Sequence, residues 1–244
     1  YSGNTEETLS ALEKAEEKGA QISCVTSGGK LLEIAKEKGY NYIQIPSGHP
    51  PRAAFGYAFP QLLFTLAKYG LISNSFEQIL ETTIATLNNS EKSIKNEAES
   101  VARTLLNKIP VIYAVADYEG VCVRFRQQIN ENSKMLCWHH VIPEMNHNEL
   151  VGWRKKDENL AVVIFRNDSD YFRTQKRIEI NKEIIQQYCD NITEIYSKGS
   201  SNLERSLYLI HLGDWVSVYL ADLQKIDPVE VNVITGLKNK LAEI

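Results

Sequence analysis

Hydrophobic positions along the chain come in two rhythms. Leu9, Leu12 and Ala15 lie at helical spacing and stop at Gly19, which predicts a helix closed by glycine. The run QISCV, 21–25, reads as a short buried strand, and TSGG turns the chain into a second helix, KLLEIAKEKG, again ended by glycine. YNYIQI, 40–45, is a further strand, and the loop PSGHPPR leads into an apolar helix, AAFGYAFPQLLFTLAKYG. Strands alternating with helices are the pattern of a parallel sheet with helical crossovers.

Residues 74–107 break that rhythm, being charged, helical in period and free of Gly and Pro. They read as two helices that link two domains. The alternation then resumes. Strands are predicted at 109–115, 136–142, 160–166 and 192–197, and helices over YEGVCVRFRQQINENSKM and FRTQKRIEINKEIIQQYC. Two further helices, NLERSLYLIHLGDWVSVYLADLQ and VEVNVITGLKNKLAEI, finish the chain. The expected organisation is the remainder of a first α/β domain over 1–73, linking helices over 74–107, and a second domain with C-terminal helices over 108–244. The halves look alike in architecture without a residue-level repeat. The first lacks an opening strand and helix, as expected if a preceding segment exists.

At 244 residues the chain can bury a large core or two smaller ones. A net charge of −4, with both signs dispersed, gives no support to a nucleic-acid partner, though it leaves room for a local anion site. There is no signal-peptide pattern and no apolar run long enough to span a bilayer. Cys24, Cys122, Cys137 and Cys189 lie far apart without CxxC pairing, as expected of free buried thiols in a reducing cytoplasm, with a disulfide or a metal site as the alternative.

Two segments could carry chemistry. YSGNTEET opens the chain with small polar residues running into a helix. Unpaired N–H groups and the dipole at a helix start favour an anion. Ser2 and Thr5 could donate to phosphate oxygens, while Gly3 lets the backbone approach closely. A simple N-cap by Asn4 or Thr5 is the alternative. In the second segment, Glu131 sits on a helix among Gln128, Asn130 and Asn132, and His147 follows one strand later. The chain could thereby return an imidazole toward a carboxylate. A carboxylate suits abstraction of a proton next to a carbonyl, and an imidazole suits opening a sugar ring. A solvated glutamate and a capping histidine are the plain alternative. Adjacent His139 and His140 lie in a strand-like run, face opposite ways and cannot readily share a metal.

Taken in order, SGNTEET, TSGG, QINEN and NHNE resemble the sugar isomerase (SIS) domain family, and more closely its bifunctional phosphoglucose/phosphomannose isomerases. The resemblance implies two SIS-type parallel-sheet domains, three-layer α/β/α and flavodoxin-like, the first incomplete at its N-terminus. It implies interconversion of glucose 6-phosphate, and of mannose 6-phosphate, with fructose 6-phosphate through an enediolate, without metal or organic cofactor. Ser2, Gly3, Asn4 and Thr5 match part of the family's phosphate loop, whose preceding Ser would lie upstream. Glu131 matches the base that moves the proton between C1 and C2. His147 matches the ring-opening acid/base, which in this family reaches in from the neighbouring subunit of a homodimer. GHPPRAAFGY resembles the Pro-Arg segment, so Arg52 would stabilise the enediolate. A C-terminal lysine assists ring opening; ITGLKNKL suggests Lys238, with Lys240 or Lys225 as alternatives. The absence of Gln from DPVEVNVITGLK is compatible with dual specificity. The rival readings are a non-catalytic module that senses a phosphosugar and an aminosugar-phosphate isomerase.

Overall fold

The computed structural model describes residues 1–241 and 243. The chain divides into two compact units, Tyr1–Glu77 and Gln78–Ile244.

In the first unit, α1 (Glu6–Glu17) leads to β1 (Ser23–Thr26), α2 (Gly29–Glu37) and β2 (Asn41–Gln44). β1 and β2 pair in parallel, with Ser23 opposite Asn41. Both helices end on a glycine with positive φ, Gly19 at 64° and Gly39 at 71°. There the next amide bonds back across the last turn, Ala20 to the Ala15 carbonyl and Tyr40 to that of Ala35. Glu16 joins the two ends, accepting from Lys38 Nζ at 2.7 Å and Tyr40 Oη at 2.8 Å. Leu12, Cys24, Leu31 and Ala35 form a small core. A 3₁₀ turn, Pro51–Ala54, opens α3 (Phe55–Lys68), which fully buries none of its residues and exposes Tyr57, Leu62, Phe64 and Leu66.

Where two helices are expected over 74–107, one continuous helix, α4 (Ser75–Leu105), runs for 31 residues. The polar stretch Asn88–Ser90 holds weak helix formers, but nothing in the segment interrupts the hydrogen-bond ladder as Gly or Pro would. Its C-terminal half does more than link: Ile94, Ala98, Val101, Ala102 and Leu105 are buried in the core of the second unit.

That unit contains β3 (Ile109–Val115), α5 (Glu119–Ser133), β4 (Trp138–Ile142), β5 (Leu160–Arg166), α6 (Phe172–Ile185), β6 (Ile192–Tyr196), α7 (Asn202–Gln224) and α8 (Asn232–Leu241). The strands form one parallel sheet in the order β4-β3-β5-β6. From Pro110 and Ala161 onward, β3 and β5 bury every residue, because both sheet faces are covered. α5 and α7 approach closely at Gly213, where a Cβ would lie 2.9 Å from the Phe125 ring. A polar seam runs beside that contact. Asp214 accepts from Arg124 Nη2 at 2.6 Å and from Gln128 at 2.8 Å, and Asn132 donates to Ser217 at 2.9 Å. None of the described helices is long and apolar enough to cross a membrane.

Candidate active site

The loop of Ser2, Gly3, Asn4 and Thr5 is docked on the turn that follows β1. The Tyr1 carbonyl accepts from Ser27 N at 2.8 Å and Thr26 Oγ1 at 2.9 Å, and the Gly3 carbonyl accepts from Leu31 N at 2.9 Å. Gly3 is buried with φ +73°; a side chain there would collide with the Gly28 carbonyl, and one at Gly29 with that of Ser2. Two glycines therefore let two backbones touch. Asn4 does not cap α1. Its Oδ1 accepts from Lys30 N at 2.9 Å, satisfying an orphan donor at the start of α2. Thr5 occupies the N-cap position of α1, yet its hydroxyl bonds no helix amide and pairs with Thr8 Oγ1 at 2.7 Å. Ser2 and Thr5 are exposed at the head of α1, where an anion would be favoured by the helix dipole and opposed by Glu6 and Glu7 in the first turn. Arg52 is half-buried in the 3₁₀ turn before α3, behind Pro50 and Pro51, whose fixed φ stiffens the approach.

In the second unit, Glu131 is half-buried on the last turn of α5. The amide-rich surroundings that mark it in the sequence are structural. Gln128 and Asn132 belong to the seam with α7, and Asn130 Nδ2 holds the Met135 carbonyl at 2.7 Å. Lys134, in the left-handed region at φ 55°, donates to the carbonyls of Glu131 and Glu230, both at 2.5 Å. That bond brings the approach to α8 to the end of α5. Lys238 and Lys240 are exposed on α8, while Lys225 is the left-handed cap of α7.

His147 ends the 3₁₀ turn Glu144–His147 and is exposed. Its imidazole makes no hydrogen bond to a described residue. A second 3₁₀ turn, Glu149–Gly152, follows.

The faces of β4 separate these two groups. His139 points to α5, its Nε2 lying 3.9 Å from Glu119, and burial depresses its basicity. Trp138 and His140 point the other way, as alternate strand residues must, and both bond Glu149. Tyr113, paired with His140 in the sheet, bonds Glu149 from the same side. Upstream in the same turn, Asn146 reaches Asn181 of α6 at 2.6 Å. The turn bearing His147 therefore lies on the sheet face opposite α5, which bears Glu131. The expectation that the chain returns His147 toward Glu131 fails within one chain, because β4 and its neighbours stand between them.

Two crevices flank the sheet. One, of about 660 Å³, lies beside Trp138, Glu149 and Trp153 and is bordered by the basic run Arg154–Lys156. The other, of about 260 Å³, opens at the C-terminal ends of β3 and β4, against Asp117, Ser169, Asp170 and Asn202. Sequence reasoning singled out neither. Among the described residues, no group of three or more His, Cys, Asp or Glu side chains is arranged to hold a metal ion. Burial raises all four thiols, Cys137 to about 11.

A parallel α/β chain with this loop and these two segments has known counterparts. Residues 94–241 match the family model described as the bacterial phospho-glucose isomerase C-terminal SIS domain. The bifunctional phosphoglucose/phosphomannose isomerase of Caldicellulosiruptor bescii is 43% identical over 100% of this chain and 75% of its own length. That of Aquifex aeolicus is 37% identical over 99% of this chain and 74% of its own length. Among solved structures, a glucose-6-phosphate isomerase like protein from Thermus thermophilus superposes with a TM-score of 0.61 at 22% identity, covering 91% of this chain and 77% of that one, which speaks to fold. The chain belongs to the bifunctional phosphoglucose/phosphomannose isomerase family.

Proposed function

We propose that this chain catalyses aldose–ketose isomerisation of hexose 6-phosphates, interconverting glucose 6-phosphate and mannose 6-phosphate with fructose 6-phosphate. The observation that carries the reading is similarity along the whole chain to enzymes bearing that name. Ser2, Gly3, Asn4 and Thr5 contribute to holding the substrate phosphate. His147, assisted by Lys238, opens the sugar ring by moving a proton between the ring oxygen and the C1 hydroxyl. Glu131 takes the C2 proton to form the enediolate, whose charge Arg52 stabilises, and returns the proton to C1. The electron pair that C2 loses on becoming a ketone reduces C1 of the same molecule, so the step balances without a redox partner.

The opposite-face placement of Glu131 and His147 favours a homodimer in which each site takes Glu131 from one protomer and His147 of the partner subunit. Four free thiols, three of them buried, fit a reducing cytoplasm. The test is formation of fructose 6-phosphate from glucose 6-phosphate and from mannose 6-phosphate by the full-length protein. Turnover of both is expected. Binding of both without turnover would favour the phosphosugar sensor instead.

A further inference from the structure

His147 is exposed and its imidazole makes no hydrogen bond to a described residue, so its aim depends on the backbone that carries it. The amide bonds of its 3₁₀ turns lengthen past His147: Asn146 reaches the Pro143 carbonyl at 2.9 Å before it, whereas after it Asn148 reaches Met145 at 3.4 Å, Val151 reaches Asn148 at 3.2 Å and Trp153 reaches Leu150 at 3.3 Å. The anchoring comes from side chains on either flank. Upstream, Met145 is fully buried and Asn146 bonds Asn181, itself 3% exposed. Downstream, Asn148 bonds the Glu149 amide with Oδ1 at 2.5 Å and Glu144 with Nδ2 at 3.1 Å.

Glu149 is the downstream anchor. One carboxylate oxygen accepts from Tyr113 Oη at 2.5 Å and Trp138 Nε1 at 3.2 Å, and the other meets His140 Nδ1 at 2.9 Å. Trp153 Nε1 donates to the same Tyr113 hydroxyl at 3.2 Å, so the second 3₁₀ turn is pinned at both ends to β3. Tyr113 is 1% exposed, and burial together with Glu149 pushes its phenol far above the usual range. It therefore remains a donor across physiological pH. A carboxylate can accept at once from Tyr113, from Trp138 and from a His140 that carries its proton on Nδ1, whereas water at this half-buried position would leave the Tyr113 hydroxyl without a fixed acceptor.

We infer that Glu149 is a positioning residue for His147: its carboxylate clamps the His147 turn to β3 and β4 and thereby sets the reach of the ring-opening imidazole. The inference rests on the ring-opening role proposed for His147. It extends that role to a residue that need not touch substrate.

Ring opening can be read separately from isomerisation. Exchange between the anomers of fructose 6-phosphate, followed by magnetisation-transfer NMR, needs only ring opening and closure. Isomerisation of erythrose 4-phosphate needs no ring opening, because its O4 is esterified and it stays acyclic. The experiment measures both in the full-length protein and in its H147A, E149A, E149Q and W138F variants. H147A is expected to lose enzyme-catalysed anomer exchange. E149A should slow that exchange about thirtyfold, since misplacing a reacting group by an ångström costs up to about a hundredfold, while erythrose 4-phosphate turnover stays within about twofold. E149Q can still accept from Tyr113 and Trp138 on one oxygen and present its amide to the other His140 tautomer, so a loss of about threefold or less is expected. W138F removes one donor on a part-exposed strand residue and should slow exchange about threefold even if E149A does not fold.

Anomer exchange at the wild-type rate in E149A or W138F would overturn the inference. So would equal slowing on the cyclic and acyclic substrates, or E149Q as slow as E149A, which would assign the effect to charge rather than position. Retention of anomer exchange by H147A would instead strike at the ring-opening reading itself.

Discussion

The loop of the first unit and the turn of the second solve the same problem, holding a functional group in place, by opposite means. The Ser2–Thr5 loop is fixed by backbone. Two glycines let carbonyls approach within the space a side chain would fill, and amides of the neighbouring turn close the contact. The His147 turn is fixed by side chains, with Met145, Asn146 and Glu149 reaching into the sheet and α6. A loop that must surround an anion benefits from exposed N–H groups and minimal bulk. A turn that must aim one imidazole benefits from anchors on both flanks. The first arrangement should therefore break on adding a methyl group, and the second on removing a polar one.

The largest effect is expected outside both devices. Glu131→Gln keeps the shape of the side chain and removes the proposed base, so kcat should fall about a thousandfold while hexose 6-phosphate still binds; steady-state kinetics with a direct binding measurement checks this. Weakened binding with little change in kcat would place Glu131 among the substrate-holding groups.

Gly3→Ala forces an L side chain into a left-handed conformation against a carbonyl. KM for hexose 6-phosphates should rise about tenfold or more with a smaller change in kcat, as the proposed phosphate loop is pushed off its seat. An unchanged KM would remove the loop from the substrate site.

Gly213→Ala tests packing without touching either device. The new methyl would press on the Phe125 ring, and a loss of about 1–3 kcal/mol should lower the melting temperature by a few degrees. The kinetic constants should hold.

The smallest effect is chemical. Burial raises all four thiols, so alkylation at pH 8 should be slow in the native protein and become fast only on unfolding. A rapid native-state reaction at Cys137, the one thiol that is only half-buried, would show the α5–β4 corner to be open.

Long, doubly buried patterns were legible in the sequence. The strands at 109–115 and 160–166 and the helix at 202–224 have the same bounds in the structure as in the hydrophobic pattern. Over 74–107 the charged pattern reads as two helices, but with no Gly or Pro to interrupt the hydrogen-bond ladder one helix runs through. Around the candidate site, residue types were readable and geometry was not. Asn4 looks like a cap for its own helix, but caps α2 across the sheet end, a choice made by the docking of two loops. The amides around Glu131 suggest chemistry, yet serve the seam with α7. Alternation along β4 says that His139 and His140 face opposite ways, but not which face α5 covers, so the separation of Glu131 from His147 waited for the fold. Glu149 stood in view within NHNE without a role, because its three partners come from strands 9 to 36 positions away.

Subunit complementation tests the central claim most directly. In a homodimer with exchanged histidines, an E131Q chain paired with an H147A chain gives one site carrying both defects and one site carrying neither. Random pairing of the two chains in equal amounts should then restore about a quarter of wild-type isomerase activity, since half the dimers are mixed and each has one intact site. Activity no higher than that of the single variants, in a preparation shown to contain mixed dimers, would contradict the account by placing Glu131 and His147 of one chain in the same site.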